Sequence, residues 1–140
     1  MLRSTRTKPM LRIGVALAIV TSLSSPSLSQ DQQGTDAASG QLEFNNACRT
    51  CHTVKEGDNR LGPSLYKVLG RKAGSLPNYA YSSAMRDADF GWDTEKLDQF
   101  IAEPDAVVRG NRMKPYGGLA SADTTAKVIA YLESVSTSHQ

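Results

Sequence analysis

Cysteine and histidine are almost absent from this chain: two of each stand in 140 residues. A zinc site needs four ligands, and the second histidine, His139, lies in the polar run Ser-Thr-Ser-His-Gln, so a Cys₂His₂ site is poorly supplied. Nowhere does an apolar run approach the ~20 residues of a membrane-spanning helix; the run from Ile13 to Leu23 is about 11 long. Acidic residues are missing from the first 29 positions, and so is an Arg-Arg pair. No convincing strand, hairpin signal or internal repeat is present, which leaves a small all-α chain with long loops.

What stands in the first 29 residues has the layout of an export signal. Arg3, Arg6, Lys8 and Arg12 make a basic start, the apolar run follows, and small residues end in Ser27-Leu28-Ser29. Residues 1–29 are therefore expected to be cleaved on export to the periplasm in the unfolded state. An uncleaved membrane anchor is the second reading. Removing this segment leaves 12 basic and 14 acidic residues, so the basic isoelectric point near 8.6 belongs to the precursor. It is not a nucleic-acid signal, and no nucleic-acid partner is expected.

Residues 30–39 are polar and rich in Gly, Ser and Ala, and read as a flexible arm. One domain follows over 40–136, ending in a polar tail at 137–140. A first helix is expected from about Gly40, with Phe44, Ala47, Cys48 and Cys51 on one face. From Thr53 to Pro77 the chain has no sustained period and reads as loop, with one helical turn near Ser64–Leu69. Ser82 to Asp87 suits a short helix. Asp93 or Thr94 suits the cap of another, carrying Leu97, Phe100 and Ile101 and ending at Pro104. A last helix from near Ser121 carries the stripe Val128, Tyr131, Leu132 and Val135. Loops this long are unusual unless something fills the space between them.

The sequence Cys48-Arg49-Thr50-Cys51-His52 names the filler. Cys-x-x-Cys-His is the pattern of covalent c-type haem attachment. Two thiols three residues apart bond the two vinyl groups along one side of a porphyrin, and the adjacent His52 supplies the proximal ligand to iron. A single structural disulfide is the competing reading in an exported chain. A thioredoxin-like redox pair would want a βαβ pattern around it, which is missing. For the opposite face of the iron the candidates are Met85, Met113 and His139. Met85 suits a filler in a short helix and His139 a solvated tail. Met113 lies in the Gly- and Pro-punctuated loop Arg109 to Gly118, which lets a sulfur approach the iron.

On these residues the chain resembles a class I cytochrome c, of the mitochondrial and bacterial branch, from about Gly40 to Leu132. Gly62-Pro63-Ser64-Leu65 resembles the segment whose proline carbonyl accepts a hydrogen bond from the proximal histidine. Gly70 to Gly74 with Tyr79 and Tyr81 resembles the loop under the haem propionates, and Trp92 falls where the family has a propionate-bonded tryptophan. Gly110 to Met113 resembles the methionine-ligand loop. The resemblance implies a cytochrome c fold of few helices and long loops wrapped around one haem c. It implies Cys48 and Cys51 as attachment points, His52 and Met113 as iron ligands, and Pro63 behind His52. Arg71, Tyr81 and Trp92 become the propionate donors. The chain departs from the family at Phe100, where a tyrosine near the sulfur is common, and at Met85, where an asparagine is common.

The implied function is a soluble, monomeric, one-electron carrier rather than an enzyme. Its implied partners are redox proteins: a quinol-oxidising cytochrome complex, an oxidase, a photosynthetic reaction centre or a periplasmic dehydrogenase. An open-site haem protein, gas-binding or peroxidase-like, is the alternative, and would need Met113 off the iron. Arg49, Arg60, Arg109, Arg112 and Lys114 are expected to rim the exposed haem edge with positive charge.

Overall fold

The computed structural model describes residues 29–137. Residues 1–28 and 138–140, which hold the expected export signal and His139, lie outside the described residues. Among the described residues five helices follow in order: α1 Ser29–Ala47, α2 Ser83–Arg86, α3 Thr94–Ala102, α4 Pro104–Val107 and α5 Ala122–Thr137. Among the described residues the only β feature is an isolated antiparallel bridge between Lys72 and Gly91.

Helix α1 starts earlier than composition suggests. Its 19 residues include the segment 30–39 expected as a loose arm. No proline interrupts 29–47, and Gln and Ala are sound helix formers. Once the C-terminal part is nucleated by packing, propagation costs little. The segment lacks an apolar stripe, so periodicity could not announce it.

Helix α1 packs on α5, and Gly40 makes the contact possible. A β-carbon at that position would stand 1.9 Å from the Lys127 carbonyl oxygen. One turn on, Phe44 is buried and its ring lies 5.4 Å from that of Tyr131, tilted by 53°. Such a pair adds about 0.5–1.5 kcal/mol beyond the area it buries. The α5 stripe forms as expected: Val128, Tyr131 and Leu132 are buried with Thr125 and Ile129, and Val135 packs against them half-buried. Ser121 caps this helix, accepting from the Thr124 N–H through Oγ at 3.3 Å.

Helix α3 follows its sequence signals. Asp93 is the N-cap and accepts from the Lys96 N–H at 2.6 Å. Leu97, Phe100 and Ile101 are its buried face. The chain breaks at Glu103, as Pro104 requires, and then starts α4 with the proline in its first turn. Four residues are too few to show a helical period, so α4 was not foreseen. An edge-to-face series, Phe90 on Trp92 on Phe100 with 4.9 Å between centroids at each step, joins α3 to the loop before it.

The stretch from Thr53 to Pro77 carries no helix, as expected. The single helical turn expected at Ser64–Leu69 is instead a pair of hydrogen-bonded turns, Val68 N–H to Leu65 O at 3.2 Å and Arg71 N–H to Val68 O at 3.1 Å. The Lys72–Gly91 bridge is flanked by Trp92 N–H to Arg71 O at 2.9 Å and Ala73 N–H to Phe90 O at 2.9 Å. This ties Arg71 to Trp92. Among the described residues no helix is long and apolar enough to cross a membrane.

Gly40→Ala is expected to destabilise the fold by about 1–3 kcal/mol, since the new methyl must displace backbone rather than a movable side chain. Urea unfolding of the holoprotein measures it. An unchanged midpoint would mean that α1 does not meet α5 at this point.

Candidate functional site

The last turn of α1 runs on into the Cys-x-x-Cys-His segment. Cys48 N–H donates to Phe44 O at 2.8 Å, and both Cys51 N–H and His52 N–H donate to Cys48 O, at 3.1 and 2.9 Å. Cys48, Cys51 and His52 therefore lie on one continuous turn that Phe44 fastens to the core. Both thiols are free. Burial, and the neighbouring Cys51, push the Cys48 thiol up to about 11. A thiol raised in this way is unlike the acidic cysteine of a redox exchange site. That argues against the thioredoxin-like reading.

His52 is buried, and its Nδ1 lies 2.8 Å from the Pro63 carbonyl oxygen. A carbonyl only accepts, so Nδ1 carries the proton and Nε2 keeps its lone pair. Burial is the largest influence on this ring and lowers its pKa from the usual value, so the neutral ligand form is favoured. Gly62 makes the approach possible: a β-carbon there would stand 2.3 Å from His52 Cε1. The loop behind Pro63 is held by Ser64, which is fully buried. Its N–H donates to Asn59 Oδ1 at 2.9 Å, its Oγ donates to Lys55 O, and the Tyr66 N–H donates back to that Oγ at 3.2 Å.

Arg71 reaches the same loop. Its guanidinium donates to Ser64 O at 2.9 Å and to Tyr66 O at 3.1 Å. Burial lowers the Arg71 pKa and raises that of Tyr81, and each of the two feels the other. Trp92 is buried beside Arg71 through the backbone bridge. Arg71 is thus within electrostatic reach of Tyr81 and bonded through its backbone to Trp92.

The Met113 loop closes on the motif from another direction. Tyr116 donates its hydroxyl to Ile101 O at 2.7 Å. Its pKa is pushed up to about 12 by burial and, secondarily, by Cys48, which sets it within electrostatic reach of the first cysteine. Tyr79, whose pKa is raised mainly by burial, feels both Arg112 and Cys51. Met113 itself is half-buried against the core cluster, as are Cys48, Val54, Leu65, Leu69 and Tyr81. Met85 is buried in the core, at the end of an α2 turn that Ser82 caps. Asn111, which is buried and bonded to the Met113 N–H, belongs to this loop, and its amide reaches Asp105 on α4. The two are brought together only by folding.

These groups fit a haem. Two unbridged thiols one turn apart suit thioethers, a neutral imidazole with a free Nε2 suits iron, and a guanidinium with a nearby phenol suits a carboxylate. The half-buried apolar side chains suit the porphyrin faces. An all-helical fold that carries this donor set defines a c-type haem protein.

Comparison with known proteins agrees. Residues 35–132 match the family model described as cytochrome c oxidase, cbb3-type, subunit III. Cytochrome c2 iso-2 of Magnetospirillum fulvum is 41% identical over 88 residues, covering 63% of this chain and 91% of its own length. The c-type cytochrome cy of Rhodobacter capsulatus is 38% identical over 100 residues, 71% of this chain, and this chain spans only about half (49%) of that protein. Among solved structures, cytochrome cH from Methylobacterium extorquens superposes with a TM-score of 0.65 at 35% identity, over 71% of this chain and 98% of its own. The chain belongs to the class I cytochrome c family. It is an electron-transfer protein and not an enzyme, and its cofactor is a covalently attached haem c.

Gly62→Ala is expected to push the His52 ring off the Pro63 carbonyl, because 2.3 Å leaves no room for a methyl group. The holoprotein should lose about 1–3 kcal/mol of stability. In the NMR spectrum the His52 Nδ1 proton should exchange faster. A protected Nδ1 proton at wild-type stability would show that the close approach is not needed.

Proposed function

We propose that this chain is a soluble periplasmic one-electron carrier whose haem is attached through Cys48 and Cys51 and whose iron is ligated by His52 and Met113. The observation that carries the reading is the His52–Pro63 hydrogen bond: it leaves Nε2 as the only ring nitrogen able to bind metal. Haem, when bound, supplies a one-electron iron couple. The chain's own part is to hold the ligands and keep protons out of the transfer. His52 is neutral, with its single proton fixed on the Pro63 carbonyl, and a thioether has no proton to give. Neither ligand needs to change protonation when the electron moves. Arg71, Tyr81 and Trp92 are the proposed donors to the propionates, which a low-dielectric site would otherwise penalise. A closed pair of ligands leaves no position for a substrate, which separates this reading from an open-site gas-binding or peroxidase-like protein.

Two preparations test it. Intact mass of the exported wild type should show the gain of one haem and the loss of about 29 residues. Cys48→Ala with Cys51→Ala should give extractable haem or none, and covalent haem in that variant would sink the reading. Met113→Ala should abolish the near-infrared sulfur-to-iron band and confer carbon monoxide binding, while Met85→Ala leaves both unchanged. The reverse pattern would transfer the ligand role to Met85. A full-length chain confined to membranes would favour an anchored carrier.

The proposed partners are acidic redox protein surfaces: a quinol-oxidising cytochrome complex, an oxidase, a reaction centre or a periplasmic dehydrogenase. Of the expected basic rim, Arg60 is engaged with Asp58, and Lys114 with Asp105. Arg49, Arg109 and Arg112 are exposed, and these three are the proposed steering charges. Electron-transfer rates should therefore fall as salt shrinks the Debye length from ~10 Å at 0.1 M to ~3 Å at 1 M. Arg109→Glu with Arg112→Glu should slow the reaction at low salt and flatten that dependence. Salt-independent rates in the wild type would remove the rim from docking.

A further inference from the structure

We infer that Asn111, acting with Asp105, is the positioning residue for the methionine ligand. The inference rests on the reading of Met113 as the sixth ligand. Asn111 is 7% exposed, and its amide is fully used. Nδ2 donates to Asp105 Oδ1 at 2.7 Å and to Val108 O at 2.9 Å, and Oδ1 accepts from the Met113 N–H at 2.9 Å. A primary amide has two N–H donors and one carbonyl. Here the donors grip α4 and its end, and the carbonyl grips the backbone of the ligand.

The carboxylate closes the arrangement from the other side. Asp105 Oδ1 takes Asn111, two residues before Met113, and Oδ2 takes Lys114, the residue after it. Both flanks of Met113 are thereby held by one side chain on α4. That helix is itself fixed, since Pro104 and Val108 are buried in the core at its two ends. The bond from a neutral amide to an ionised carboxylate is of the stronger kind. Asp105 is held ionised chiefly by Lys114, which lowers its pKa below the ordinary carboxylate value. No atom of Asn111 or Asp105 need touch haem for this role. They act by limiting how far the Met113 backbone can move.

The test uses ferric holoprotein and exogenous imidazole, which competes with Met113 for iron. Asn111→Ala and Asp105→Ala should each raise imidazole affinity about tenfold, the fold-change that loss of one charge-assisted hydrogen bond supports. Hydrogen exchange at the Met113 amide should quicken by a similar factor, a readout independent of the cofactor's activity. Asp105 is exposed, so its variant carries the test if Asn111→Ala fails to fold. The exchange Asp105→Asn with Asn111→Asp keeps an amide–carboxylate bond with its polarity reversed and should recover part of both effects. Wild-type imidazole affinity in both alanine variants, with Met113→Ala losing the sulfur-to-iron band, would overturn the positioning role and leave the ligand reading intact. A Met113→Ala protein that retains the band would overturn the ligand reading, and the inference with it.

Discussion

The hydrogen bond from His52 Nδ1 to the Pro63 carbonyl is the interaction on which the site depends. It sets which ring nitrogen is free and the plane of the ring, while burial keeps the ring neutral. None of this is secure unless the carbonyl is itself immobile. The Pro63 loop has no helix or sheet to hold it, so its neighbours supply the constraint. Ser64 is bonded at its N–H, its hydroxyl and its carbonyl. Arg71 holds the same carbonyl and that of Tyr66. Arg71, the proposed propionate donor, therefore also stiffens the support of His52. Removing Arg71 disturbs both sides of the site at once, and a change in potential there cannot be assigned to the propionates alone.

The helices do comparatively little chemistry and a great deal of placement. Helix α1 delivers Cys48, Cys51 and His52 on a single turn, and it is positioned by Gly40 and Phe44 against α5. Helix α3 carries Phe100 into the aromatic series with Trp92. Helix α4 gives the methionine loop a fixed starting point. Chemistry-bearing groups other than the Cys-His turn sit on loops, which is where a rigid scaffold usually presents them.

How much of this was legible depended on how local the signal is. Cys48, Cys51 and His52 are contiguous, so spacing alone declares them. Asp93, Pro104 and the α5 stripe are also local, and they appear as read. The extension of α1 through 30–39 was missed because a polar segment without a stripe looks the same whether helical or not. The α4 turn was missed because four residues carry no period. Asn111 was seen only as part of a loop motif. Its role requires Asp105 to stand beside it, and nothing in a Gly-Asn-Arg-Met string says that a carboxylate six residues earlier will fold back onto the amide. Tyr116 is similar: its partner, the Ile101 carbonyl, becomes available only where α3 ends.

Asp105 shows how tethering and docking pull on the same charges. The basic rim that would steer a partner draws on the loop around Met113, and each cation used to hold that loop is lost to steering. By taking Lys114, Asp105 removes one positive charge from the rim and converts it into a restraint on the C-terminal flank of Met113. Arg109 and Arg112, on the N-terminal flank, are left exposed. The restraint there comes instead from Asn111, a neutral side chain that holds the backbone without consuming a cation. An amide at this position suits both demands. A lysine in place of Asp105 would strengthen the rim, but it would leave the Asn111 amide with the Val108 carbonyl as its one acceptor and Lys114 without its partner. The loop would then gain charge for docking and lose hold on the Met113 backbone, and the two properties could not be raised together by substitution at this site.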